Sequence, residues 1–139
     1  MAENGLDDLL APKPVLQSAL FCHGIHSDVQ GRLTLIHSFH TLPRGPAPEF
    51  VLVNLWCYDW SEAKQFHERL VLRDPDGRTL GELEAPPFSL GGDRPRRFSF
   101  TRFEAVNFAK AGAHEVRVGL VDDASQTVAV LRSVPLLVE

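Results

Sequence analysis

The chain has 139 residues, 44% of them hydrophobic and 23% charged, with a formal net charge of -4. That is one domain's length of chain, with enough apolar content to build a core without a metal or a disulfide. The mild acidity argues against a general binder of nucleic-acid phosphates, and no run approaches the ~20 apolar residues that cross a bilayer.

Residues 1–14 read as a tail. Leu6, Leu9 and Leu10 make at most one amphipathic turn, which Pro12 and Pro14 stop. The acidic start lacks the basic residues and apolar run of a secretory signal. The cytoplasm is therefore the expected location, with Cys22 and Cys57 as reduced thiols. A single domain is expected over 15–139.

From Val15 onward the pattern is that of strands broken by turn residues. Val15 to His26 and Arg32 to Leu42 form a hairpin around a turn ending in Gly31, followed by a stiff loop at 43–48. Phe50 to Trp60 is the strongest strand. Ser61 to Lys64 is a connector, with one helical turn capped by Ser61. Gln65 to Arg73 and Arg78 to Glu84 flank the turn Asp74-Pro75-Asp76-Gly77, where Pro presets φ and Gly takes a left-handed conformation. A long loop at 85–95 precedes Arg97 to Asn107. His114 to Val121 and Thr127 to Val138 close the chain.

Alternation tells which faces pack. Val116, Val118 and Leu120 share a face opposite Glu115 and Arg117. Phe66, Leu70 and Leu72 share one opposite His67, Arg69 and Arg73. Short alternating strands with two long loops predict an all-β, immunoglobulin-like antiparallel β-sandwich. We expect about 7–9 strands and Greek-key crossovers at the loops, in preference to a closed barrel.

The succession Ala19-Leu20-Phe21-Cys22-His23, Gly31-Arg32-Leu33-Thr34-Leu35 and Leu72-Arg73-Asp74-Pro75-Asp76-Gly77 continues with Phe108, Gly112 and His114, and with Val134-Pro135-Leu136. This order is similar to a family of short bacterial immunoglobulin-like sandwich proteins classed only as a domain of unknown function. The resemblance implies a fold and brings no activity. His114 departs from it, standing where such sandwiches more often carry a Tyr after a Gly.

Chemistry-bearing motifs are sparse. His23 and His26, and His37 and His40, are each three apart, which on strands sends the paired rings to opposite faces; a site across the hairpin from His23 and His37 is the residual option. No metal and no cofactor is expected. No Gly-x-Ser-x-Gly or zincin pattern occurs, and neighbouring Cys22 and His23 face apart on a strand. No catalytic residue is assigned, and the protein is read as a non-enzyme. Arg94, Arg96, Arg97 and Arg102 interleave with Phe98, Phe100 and Phe103, a composition suited to stacking single-stranded nucleic acid. The acidic whole argues against that, so Phe98 and Phe100 are read as core.

Phe50 to Trp60 has no polar side. Val51, Val53, Leu55 and Cys57 alternate with Phe50, Leu52, Asn54, Trp56, Tyr58 and Trp60. With the aliphatic set taken as core, the aromatic set faces outward. It is covered by residues 1–14 or the connector, by another chain, or by a small molecule. The expected interaction surface is therefore Phe50, Leu52, Trp56, Tyr58 and Trp60. The expected function is a non-enzymatic protein-interaction or assembly module whose partner is a second copy or another protein. The alternative is a carbohydrate- or small-molecule-binding sandwich that uses the same residues as a stacking platform.

Overall fold

The computed structural model describes residues 12–139, so the N-terminal leucines and all but three residues of the expected tail lie outside it. The described chain contains strands and turns and no helix. The strands are β1 (Val15–Ser27), β2 (Leu33–Phe39), β3 (Thr41–Leu42), β4 (Gly45–Pro46), β5 (Phe50–Cys57) and β6 (Lys64–Arg73). After them come β7 (Thr79–Glu84), β8 (Phe88–Leu90), β9 (Arg96–Phe103), β10 (Asn107–Phe108), β11 (Gly112–Asp122) and β12 (Thr127–Val138). There are thus 12 strands where 7–9 were expected; the surplus are two- and three-residue pieces, β4 and β8 within segments read as loops and β3 and β10 at the ends of segments read as continuous strands. The connector at 61–64 is a bend and not a helical turn, because β6 already begins at Lys64.

Two sheets face each other. One has the order β2-β1-β5-β9, and the other β3-β12-β11-β6-β7, with β8 beside the start of β6 and a small β10–β4 ladder apart from both. All long pairings are antiparallel; only β3 runs parallel, beside the end of β12. The chain changes sheets through the long loops at 43–49 and 91–95, where crossovers were expected, and also through the short connector at 58–63 and through 104–111, where none was.

The hairpin turns share one device. Asp28, Asp74 and Asp122 each accept backbone N–H groups two to four residues ahead, at 2.9 Å from Gln30, Arg32, Asp76, Arg78 and Ala124. The side-chain oxygen takes up donors that the turn leaves without a ladder partner. These bonds, with the Arg32 guanidinium beside it, hold the Asp28 carboxyl below its ordinary range. Gly77 supplies the left-handed residue, φ 82°, that the Asp74–Gly77 turn requires. Gly91 has a second reason to be glycine: φ is 99°, and a Cβ there would stand 2.8 Å from the Glu62 carbonyl oxygen.

The core follows the pleat. Phe66, Leu70 and Leu72 of β6 and Val116, Val118 and Leu120 of β11 are buried, as their alternation predicted. Across from them lie Phe21, Phe50, Leu52, Trp56 and Tyr58. Phe50 stacks on Phe103, its register partner in β9, at 4.9 Å. One polar contact crosses this interior. The amide nitrogen of Asn54 donates to Glu68 Oε2 at 2.7 Å, joining β5 to β6 with both residues fully buried. The remaining oxygens of both groups, and Trp56 Nε1, have no hydrogen-bond partner among the described residues.

This pair generates a stability prediction. Asn54→Leu alone strips Glu68 of its partner inside the sandwich and should cost about 3 kcal/mol in urea unfolding. Asn54→Leu combined with Glu68→Met should return to within about 1 kcal/mol of the wild type, because no polar group is then left stranded.

Candidate functional site

The structure reverses the expected faces of β5. Phe50, Leu52, Trp56 and Tyr58 point between the sheets and are buried, and Trp60 is half-buried with its ring 6.5 Å from that of Tyr58. None of the five forms an exposed surface, so the predicted interaction and stacking platform does not exist. The cause is size. Burying a large aromatic ring removes on the order of 150–250 Å² from water, so the bulkier face of the strand takes the thicker inter-sheet space. The smaller aliphatic face is outward, and its middle is covered within its own sheet. Val51 and Val53 are buried with Cys22 against Ile25 and Leu35.

Phe98 and Phe100 are displaced in the opposite sense. They were read as core and they face outward, 45% and 38% exposed, with stacked rings 6.4 Å apart. Register explains it. In β9, Phe103 pairs with Phe50 on the inner face, so Phe100 opposite Val53 and Phe98 opposite Leu55 take the outer one. Leu20 of β1, opposite Val53 and 41% exposed, extends the patch across three strands. Arg96 and Arg102 bracket the two rings on the same face, opposite Cys57 and Val51. Arg102 is tied to Glu49 at 2.7 Å, while Arg96 has no ion pair among the described residues. These three arginines at 96, 97 and 102 are the only Lys, Arg, Asp or Glu residues in the four strands of this sheet.

The strand that carries the patch is also an edge. Among the described residues, β9 pairs with β5 on one side and with no strand on the other. Alternate backbone N–H and C=O groups therefore point away from the sheet. Beside this edge the sandwich gapes. All of β7 is exposed, although Leu83 pairs with buried Leu70 and so belongs to the inner face. The gap forms a crevice of about 320 Å³ between Leu80–Leu83 and Arg102–Asn107. It is flanked by a smaller one of about 210 Å³ between Leu83–Pro86 and Phe100–Arg102.

Elsewhere the chemistry is bland. A concavity of about 890 Å³ opens at the end of β5 between Val15, Cys57, Asp93 and Arg96. Its thiol donates to the Gln17 side-chain oxygen at 2.7 Å and not to a base. Both cysteines are free. Cys22 lies opposite Val51, six residues down β5 from Cys57, and burial pushes its thiol pKa up. His67 is paired with Asp123, but the nearby Ser125 hydroxyl bonds to Thr127 at 2.6 Å. The β1–β2 hairpin brings the His23 and His37 rings to 6.5 Å, and among the described residues no three His, Cys, Asp or Glu side chains gather as metal ligands. His114 is buried edge-on against Phe108 at 5.1 Å, with Nδ1 3.2 Å from the Gly112 carbonyl.

The comparisons with known proteins can now be set beside this geometry. A model of a family of unknown function (DUF6941) matches residues 17–133. The chain belongs to that family. No curated protein matches it. Among solved structures, the C-terminal domain of Wzt superimposes with a TM-score of 0.57 at 12% identity, covering 91% of this chain and 74% of that one. A Niemann-Pick type C2 protein from Japanese carpenter ant gives 0.49 at 9% identity, over 93% and 95% of the two chains. An immunoglobulin-like protein from Pseudomonas aeruginosa gives 0.42 at 10% identity, over 94% and 99%. The fold of this DUF6941 member is an immunoglobulin-like β-sandwich.

The inner and outer aromatic environments separate cleanly on unfolding. Trp56→Ala should cost about 3–5 kcal/mol. Phe98→Ser with Phe100→Ser should change stability by no more than about 1 kcal/mol, because those rings pack against so little of the fold. Chemical denaturation followed by far-UV dichroism measures both.

Proposed function

We propose that this DUF6941 protein is a non-enzymatic protein-interaction module that docks its partner on the outer face of the β1–β5–β9 sheet. One observation carries the reading: two stacked, exposed phenylalanines continue into Leu20 on the face of an edge strand. Exposed apolar surface that is contiguous and rimmed by charge marks interaction sites on soluble domains. Covering it gains roughly 25 cal/mol per Å². Support for a non-enzymatic role is the bonding of the reactive groups. The Cys57 thiol, the Ser125 hydroxyl and the His67 ring are each taken up by a neighbour, and none faces another across a shared cleft. On this reading the partner, a second copy or another protein, docks on the outer side of β9 and not on the even side of β5.

A photo-crosslinking residue placed at Phe98 tests the reading in cells that naturally make the protein. A discrete cross-linked protein species should form, disappear when Phe100→Ser is added, and be missing when the crosslinker stands at Val128, an exposed apolar position on the other sheet. Equal cross-linking from both positions, or none from Phe98, would overturn the assignment of this face.

A further inference from the structure

We propose that the partner enters as an additional β-strand along the free edge of β9, and that it is an extended segment with apolar residues at its centre and carboxylates at its ends. The inference rests on the docking face just described and names what that face selects.

Three features of the molecule lead to it. The first is the backbone. An edge strand with unpaired N–H and C=O groups and flanking exposed side chains is a template for strand addition. The second is the order of side chains along the outer face, which reads Arg96, Phe98, Phe100, Arg102. In an added strand the residues directly opposite meet these side chains at about 4.5–5.5 Å between Cβ atoms. Two apolar residues flanked by two acidic ones, each two positions apart, complement that order. The third is the opened crevice. It leaves Leu83 exposed under the same edge, so the alternate side chains of the incoming segment have a place to lie. On the far wall Glu84 is already engaged by Arg69 at 2.8 Å, while Glu82 and Glu104 stand at the other end of the groove.

The same order of side chains decides against a second copy. Pairing β9 with its own symmetry mate about Ser99 would satisfy the phenylalanines, each Phe98 facing a Phe100. It would also set Arg96 opposite Arg102 twice; Glu49, just before β5, offsets Arg102 in part, but Arg96 has no carboxylate partner among the described residues. Like charges directly opposite are destabilising. The arginines therefore block self-pairing and recruit an acidic strand, which is how an edge is kept free for one partner. Single-stranded nucleic acid could stack on the same rings. It gains nothing from the free backbone edge or from the aliphatic neighbours Leu20 and Leu55, and the chain as a whole is acidic.

The test uses a fluorescein-labelled peptide, Glu-Thr-Leu-Thr-Leu-Thr-Glu, its lysine counterpart with Lys at both ends, and an oligothymidylate, each titrated into the full chain by anisotropy. The acidic peptide should bind saturably, and at least about tenfold more tightly than the lysine peptide. Phe98→Ser with Phe100→Ser should weaken it by about tenfold or more. Arg96→Glu with Arg102→Ser should reverse the preference between the two peptides, which a merely damaged fold would not do. Bound peptide should slow amide hydrogen exchange within β9 and a central proline in the peptide should abolish binding, since proline donates no ladder bond. Tighter binding of oligothymidylate than of the acidic peptide would overturn the proposal in favour of a nucleic-acid platform. A dimer in light scattering, dissociated by Phe98→Ser with Phe100→Ser, would overturn it in favour of a second copy. Failure of the acidic peptide while Phe98 still cross-links specifically in cells would reject strand addition and leave the docking face standing; failure of both would reject both.

Discussion

The burial of β5 on both of its faces is the constraint around which this molecule is arranged. Its larger side chains, Phe50, Leu52, Trp56 and Tyr58, fill the space between the sheets, and its smaller ones, Val51 and Val53, are closed over by β1 and β2. Because side chains alternate strictly along a strand, this choice at β5 propagates by register to both neighbours. It puts Phe21 of β1 and Phe103 of β9 inside, and it puts Leu20, Phe98 and Phe100 outside. The proposed docking face is thus a consequence of how the core is filled, one residue out of phase with it.

Charge placement follows a similar economy. The sheet of β1, β2, β5 and β9 carries no carboxylate, and its three arginines all sit on the edge strand. The opposite sheet takes the ordinary mixture, with Arg117 bonded to Glu115 at 3.0 Å and Arg69 to Glu84. Exposed pairs of that kind contribute little to stability. The asymmetry therefore matters for recognition more than for folding. A protein of net charge -4 presents a locally basic strip beside an apolar patch. Inside the sandwich, the Asn54–Glu68 contact adds specificity of a different sort. A polar pair that must meet across two sheets penalises any sliding of one sheet on the other.

Much of the fold was legible before any coordinates. Turn chemistry marked the hairpins at Asp28–Gly31, Asp74–Gly77 and Asp122–Ser125, since only certain side chains supply left-handed backbone or a carboxylate for the turn amides. Strict alternation identified the packed faces of β6 and β11, where one side is charged and only one solution is open. The loops at 43–48 and 85–95 announced two of the changes of sheet, while those at 58–63 and 104–111 went unseen, as did short ladder pieces of two or three residues, which carry no period.

By itself, the sequence determined the class of object: a β-sandwich, its turns, and the strand on which everything else leans. It could not decide which side of β5 was inside, because both sides are apolar and alternation is silent when there is no polar face to point at water. The same silence hid Phe98 and Phe100, whose outward position depends on pairing with β5 more than forty residues earlier in the chain. Only tertiary structure settled these faces. Which face a residue takes in a doubly apolar strand is fixed by the volume available on each side of the sheet, and that volume exists only once the second sheet has closed over the first.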